Sequence, residues 1–283
     1  MEVSSYISHG KGVLESQVDV DFQIDKYAMA ETEESRDMIN TIWKKKTESN
    51  PRLFNQSKFR LAAEHYNEQE RRVSIQVGIT NYKDHVGTNL SDCVKSYLGD
   101  GAARFAMMSQ CIGVGGWVVT TDNKVILVET AAWKGEGACS IDRPGGHAEP
   151  EESVKNIADC ERSYRNISNK LVVRELFESI QKEIRDELNI PIVQQAPPEL
   201  LGVVYNMEHG GRLTMDYLVR LDLDSQKVLE MYQEGGVEAD ESTALFFVDV
   251  DDILANTLDK QITARFTPHS IGSIELLKIR LSK

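Results

Sequence analysis

Lys182-Glu183-Ile184-Arg185-Asp186-Glu187-Leu188-Asn189-Ile190 is the stretch on which the fold turns. Glu183, Asp186 and Glu187 stand at i, i+3 and i+4, so on a helix their carboxylates stack along one face. Upstream, Val173, Leu176, Phe177, Ile180, Ile184 and Leu188 recur at three- and four-residue steps. That spacing predicts a helix over about 171–188, with Asn189 as its cap and Pro191 as its stop. At roughly 100° per residue, Glu183 and Glu187 fall at the edge of the apolar stripe, while Arg174, Glu178, Lys182 and Arg185 lie largely opposite. A like-charge i,i+4 pair costs about 0.2–0.5 kcal/mol, and acids in a last helical turn oppose the helix dipole by about 0.3–1 kcal/mol. A bound divalent cation reverses both penalties. The alternative is a solvated charged face, in which Lys182 pairs with Glu178 and Asp186 at i,i+4 and no ion is needed.

Working outward, Gly145-Gly146-His147-Ala148-Glu149-Pro150-Glu151-Glu152 is too rich in glycine and proline for a helix interior. It reads as a tight loop able to bring carbonyls and carboxylates to the acidic helix. Loop and helix together suggest a metal site that works on phosphates. Between them, 151–170 is a long polar excursion.

The 283 residues are 41% hydrophobic, enough for one large core or two smaller ones. A formal charge of -13 works against attachment to a nucleic-acid backbone, which needs clustered Lys and Arg. A small anionic substrate is compatible if a metal ion supplies positive charge locally. Cys93, Cys111, Cys139 and Cys160 are widely spaced with no Cys-x-x-Cys, so neither a zinc site nor a disulfide framework is indicated. No secretory signal is expected from residues 1–8, and no apolar run approaches the ~18 residues that span a bilayer. The expectation is a soluble, cytoplasmic protein with no membrane or nucleic-acid partner. The oligomeric state is left open.

Along the chain, residues 1–30 read as polar and irregular. Met38, Ile39, Ile42 and Trp43 place an amphipathic helix over 33–46, ended by Pro51. Residues 58–63 and 73–80 read as a strand hairpin, 81–89 as a polar segment and 91–98 as a short helix. Residues 112–120 and 124–129 flank Thr121-Asp122-Asn123, a tight turn between two core strands. Further strands are expected at 200–205, 214–221 and 244–248, and helices at 226–232, 251–258 and 270–281. The fold class is therefore α/β, a mixed sheet between helices, with a small N-terminal α/β domain over 1–105 and the main domain over 106–283.

These residues resemble the Nudix box, G-x5-E-x7-R-E-U-x-E-E-x-G-U, where U is aliphatic. Gly146 and Glu152 supply its first half, and residues 182–190 its second, with Lys for Arg, Asp for the first Glu of the pair and Asn for Gly. The seven-residue spacer becomes residues 153–181. Beyond the box, the chain is similar to the atypical split-box Nudix hydrolases of UDP-glucose and UDP-galactose, which carry an extra N-terminal domain. The likeness runs through Leu53-Phe54, Lys58-Phe59-Arg60-Leu61, Gly78-Ile79-Thr80-Asn81-Tyr82, Gly87-Thr88-Asn89, Asp142 before Pro144-Gly145-Gly146-His147, and Glu241-Ser242-Thr243 before Phe246-Phe247.

The resemblance implies a Nudix-type α/β/α sandwich and a hydrolase dependent on Mg²⁺, or on Mn²⁺ in its place, that splits UDP-hexose into UMP and hexose 1-phosphate. It implies Glu183 and Glu187 as metal ligands, joined by Asp186 and the Gly146 carbonyl, and Phe54, Tyr82 and Asp142 at positions that contact the nucleotide sugar. Where relatives have a basic residue this chain has Thr130, which leaves Arg143 or Lys134 to meet phosphate. Glu241, in the polar loop 238–243, is a candidate extra ligand or general base, or a member of a Ser/Thr turn. Glu152 orients the loop or Lys182, or is a solvated acid. His147 is a candidate acid or base, or a backbone partner. From the residues alone Phe54 and Tyr82 read as core. Competing readings are a Nudix diphosphatase for ADP-ribose, a dinucleotide or coenzyme A, and a silent domain that binds a nucleotide sugar without turnover.

Overall fold

The computed structural model of the chain describes residues 1–99, 103–133, 139–155, 157–158, 163–238 and 240–282. The chain opens with strands β1 (Glu2–Ser5) and β2 (Val18–Phe22), helix α1 (Glu33–Ser49), strands β3 (Ser57–Asn67) and β4 (Arg72–Asn81), and helix α2 (Tyr82–Gly87). It continues with β5 (Ile112–Val119), β6 (Lys124–Thr130), β7 (Ile141–Asp142), β8 (Gly145–His147), α3 (Pro150–Lys155) and α4 (Asn169–Leu188). β9 (Glu199–Asn206), β10 (Arg212–Arg220), α5 (Ser225–Glu234), β11 (Ser242–Asp249), α6 (Val250–Ala255), α7 (Lys260–Thr263) and α8 (Pro268–Leu281) complete it.

The larger sheet runs β1-β9-β10-β5-β6-β11, with β7 beside β6 and β8 beside β5. Its β5–β10 pair is parallel and its other pairs are antiparallel, so the sheet is mixed. β2, β4 and β3 form a second sheet with β4 in the middle. One apolar cluster joins Phe59, Ile75 and Val77 of the small sheet, Phe177, Ile180 and Ile184 of α4, and Ile112, Val114 and Tyr217 of the large sheet. On the far face Trp117, Leu127 and Leu218 pack with Ile253 of α6 and Leu277 of α8. The result is an α/β/α sandwich whose helix α4 also supports the small sheet.

Helix α4 forms where the apolar spacing predicts. Val173, Leu176, Phe177, Ile180, Ile184 and Leu188 are all buried, each contributing on the order of 1.5–3 kcal/mol. It starts two residues earlier than expected because the Ser168 hydroxyl caps it, accepting the Leu171 N–H at 3.3 Å. It ends where Asn189 takes the left-handed conformation at φ 59°. The β5–β6 turn likewise rests on Asn123 at φ 62°.

Three local expectations are corrected. Residues 1–30 are not irregular: β1 is an edge strand of the large sheet, with Glu2 opposite Tyr205, and β2 pairs with β4. Such short strands are set by their partners rather than by propensity. Within 81–89 lies helix α2, whose N-cap Asn81 accepts the Asp84 N–H at 2.9 Å. Residues 91–98 hold only a 3₁₀ turn, Val94–Tyr97.

Polar contacts also tie the small sheet to the linker ahead of the large one. The Arg60 side chain, on β3, is buried and donates to the carbonyls of Tyr27 (3.1 Å), Phe105 (3.0 Å) and Met108 (3.2 Å). Burial brings its pKa down to about 10. Because the apolar cluster is continuous, both sheets are expected to melt together. Phe59→Ala, at a fully buried position of the small sheet, should cost about 3–5 kcal/mol and lower the midpoint of a single calorimetric transition. A second, unshifted transition would show that the sheets unfold apart.

Candidate metal and diphosphate site

Strand β8 brings the glycine turn to α4. It pairs with β5 in the register Gly145–Gly115, Gly146–Val114 and His147–Gly113. At Gly146 the approach is so close that an added Cβ would stand 2.5 Å from Glu183 Cδ and collide with its carboxylate. Only a residue without a side chain lets that carboxylate lie on the turn. Glu187 is one helical turn further on and only 3% exposed. Asp186 behaves differently: its two oxygens accept a fork from Arg185, Nε at 2.7 Å and Nη2 at 2.6 Å. Of the three stacked acids, Glu183 lies at the turn, Glu187 is buried one turn on, and Asp186 is engaged by a neighbouring cation.

The solvated-face alternative does not describe this helix. Glu178 pairs with Arg174 at 2.6 Å, and Lys182 turns away from both Glu178 and Asp186. Its ammonium sits 2.8 Å from Glu175 Oε2 and 3.4 Å from Glu152 Oε2. Glu175 is buried, and burial pushes its carboxyl up to about 7 against the pull of Lys182. Burial works in the same direction on Glu152, but Lys155 and Lys182 outweigh it and hold that carboxyl below its ordinary value. The loop between turn and helix is clamped from the small sheet: Glu149 accepts from Lys58 Nζ at 2.5 Å and from Gln56 Nε2. The Glu149 N–H donates to Glu175 Oε1 at 3.5 Å.

Tyr82 packs edge-on against Trp43 (centroids 6.2 Å apart) and beside His85, which meets His147 edge-on at 6.0 Å. An aromatic path thus runs from α1 to the glycine turn. Phe54 is 68% exposed, which is not the core position its residue type suggests. Asp142 accepts from Ser270 (2.5 Å), Thr267 (2.7 Å) and Arg143 Nη1 (2.8 Å). The Arg143 side chain is 2% exposed and its Nε donates to buried Asp216 at 2.6 Å. Arg143 therefore braces the inside of the sandwich rather than presenting its charge to an open cleft. Lys134, the other cation considered for phosphate, lies outside the described residues. The loop of Glu241 hangs on α4, because Glu238 N–H donates to the Asp186 carbonyl at 3.0 Å and Glu241 N–H to the Glu238 carbonyl at 2.9 Å.

Among the described residues no group of three or more His, Cys, Asp or Glu side chains forms a ready-made metal cage. A divalent ion such as Mg²⁺ is usually held by one or two carboxylates together with substrate phosphates and water. The cradle that a Cβ at Gly146 would fill, with an oxygen donor lying in it, fits such an ion.

No family model matches the chain. It is 31% identical over 245 residues to the human protein named uridine diphosphate glucose pyrophosphatase NUDT22, covering 84% of this chain and 80% of that one. The chain belongs to the Nudix hydrolase family. The mouse protein of the same name is 32% identical over 84% of this chain and 78% of its own length. The Arabidopsis thaliana protein named Nudix hydrolase 9 is 27% identical over 98% of this chain and 90% of its own. In Nudix terms the two halves of the box, separated in sequence, are adjacent in space. Glu175, Glu149, Lys58 and Gln56 were not singled out in the sequence. Glu175 was legible in principle, since it precedes Lys182 by seven residues and so shares its helical face. The Lys58–Glu149 contact joins elements far apart in the chain and has no local signal. No helix among the described residues is long and apolar enough to cross a membrane.

Two outcomes test this geometry. Gly146→Ala should leave the protein folded but weaken divalent-ion binding about tenfold, the scale of losses when a ligand's support is disturbed, as measured by calorimetric titration with Mg²⁺. The Glu175 carboxyl is raised by burial to about 7 in the folded chain, against its ordinary 4.5 when unfolded. It therefore stabilises below 4.5 and loses that contribution as pH rises through 7. Denaturant midpoints from pH 4.5 to 8 should fall more steeply in the wild type than in Glu175→Gln.

Proposed function

We propose that the protein hydrolyses the diphosphate bridge of UDP-glucose or UDP-galactose, giving UMP and hexose 1-phosphate. The observation that carries this reading is the Glu183 carboxylate lying on the Gly146 turn, in a chain related to proteins named as UDP-glucose pyrophosphatases. Glu183, Glu187 and the Gly146 carbonyl would hold Mg²⁺, or Mn²⁺ in its place, with Asp186 available on the same helix. When bound, the ion neutralises phosphate oxygens and lowers the pKa of the attacking water.

The chain's own residues do the rest. Water adds one P–O bond, the bridging P–O bond breaks, and the departing phosphate takes the electron pair. Glu241, on the loop that hangs from α4, is the proposed acceptor of the water's proton. Phe54 offers an open aromatic face for the base or the sugar, of the kind on which nucleobases stack. Tyr82 and Asp142 are assigned to the nucleotide sugar, and Arg143 acts through Asp142, to which it is bonded. On this reading the protein is a cytoplasmic magnesium enzyme with a small-molecule substrate and no nucleic-acid partner.

With Mg²⁺ the purified protein should convert UDP-glucose to UMP and glucose 1-phosphate, resolved by chromatography. UDP-galactose, ADP-ribose and coenzyme A serve as competing substrates. Glu183→Gln and Glu187→Gln should each lose at least a hundredfold in kcat while staying folded. Preference for ADP-ribose or coenzyme A would reassign the substrate, and full activity in both variants would reject the ligands.

A further inference from the structure

Splitting the box leaves a mechanical problem. The glycine turn must be held against α4, yet residues 153–181 separate Glu152 from Lys182. Glu152 stands at the outer end of this arrangement: it is over a quarter exposed, one oxygen is engaged by Lys155, and the other reaches Lys182 only at 3.4 Å. Glu175 stands at the inner end. Its side chain is 4% exposed, one oxygen takes the Lys182 ammonium at 2.8 Å and the other faces the Glu149 N–H at 3.5 Å. Glu149 is in turn bound by Lys58 of the small sheet and by Gln56 just ahead of it. One buried carboxylate therefore touches the residue preceding Glu183 and the backbone of the loop that carries Gly146.

We propose that Glu175 is a positioning residue of this site: from within the helix it orients Lys182 and steadies the glycine loop beside the turn of α4 that bears Glu183. The assignment deepens the reading of the site given above and rests on it for the reaction, but not for the geometry. Glu175 touches neither substrate nor metal. It acts through Lys182 and Glu149.

Two acids compete for Lys182. A hydrogen bond donated by the Lys182 ammonium at 2.8 Å in a water-poor setting is stronger and better directed than one at 3.4 Å to a more exposed acid. Lys182 reaches back toward the N-terminus of its helix, as helical side chains do, so its alignment with Glu175, two turns earlier, needs no distortion. Moving Glu175 out of place leaves Lys182 to its longer contact with Glu152 and takes from the Glu149 N–H its acceptor on α4, so the loop that carries Gly146 loses a tie to the helix that carries Glu183.

The test compares Glu175→Gln, Glu152→Gln, Lys182→Gln and the Glu175→Gln/Lys182→Gln pair. Two readouts are used: UDP-glucose hydrolysis, and Mn²⁺ binding followed by electron paramagnetic resonance without substrate. Glu175→Gln should lose about 10–100-fold in kcat with KM within twofold, and should bind Mn²⁺ about tenfold more weakly. Glu152→Gln should lose about twofold. The double variant should fall no further than the worse single one, because the two residues act as a unit. Wild-type kcat and Mn²⁺ affinity in Glu175→Gln, a larger loss in Glu152→Gln, or multiplied losses in the double variant would each overturn the assignment. If Glu175→Gln does not fold, Lys182→Gln set against Glu152→Gln decides: impairment of the first alone supports the role, and equal effects remove it. If the wild type cleaves no UDP-glucose, the substrate reading fails while Mn²⁺ affinity still reports on Glu175.

Discussion

Helix α4 is buried from two sides at once, and the rest of the molecule is arranged around that burial. Phe177, Ile180 and Ile184 face a cluster that includes both sheets, so the helix can neither slide nor rotate without exposing apolar surface on one of them. Its remaining face carries Glu183 and Glu187. A packed core therefore fixes the direction of the two carboxylates, and the glycine turn of β8 is seated against a surface that does not move.

That rigidity allows an acidic chain to keep carboxylates in poorly solvated places. Glu149 is met by Lys58, Glu175 by Lys182, Asp216 by Arg143 and Asp84 by Arg36. Each cation comes from a different stretch of chain than its partner or from a distant turn of the same helix, so the pairs are also cross-links. In a chain with a formal charge of -13, Lys58 and Arg143 stand beside the glycine turn and Lys182 on α4.

The small sheet is more than an appendage in this arrangement. Its β3 sends Lys58 to the loop of the box and Arg60 to the linker ahead of the larger sheet. Helix α2 and α1 send an aromatic path through His85 to His147. The Nudix core and the small sheet share the support of one turn, which keeps the two halves of the box together across an insertion.

The sequence alone determined what depends on local periodicity and backbone chemistry. The course of α4, its Asn189 end, the β5–β6 hairpin and the glycine turn follow from apolar spacing and from residues that tolerate a left-handed backbone, because those properties belong to a few neighbouring residues. The tertiary structure alone decided the rest. β1 exists because β9 offers it an edge, Asp186 faces Arg185 rather than Glu187, Arg143 is enclosed between two aspartates, and Lys182 chooses Glu175 over Glu178. Each of these is a choice among partners of similar chemistry, and burial and distance settle it, not the spacing along the chain.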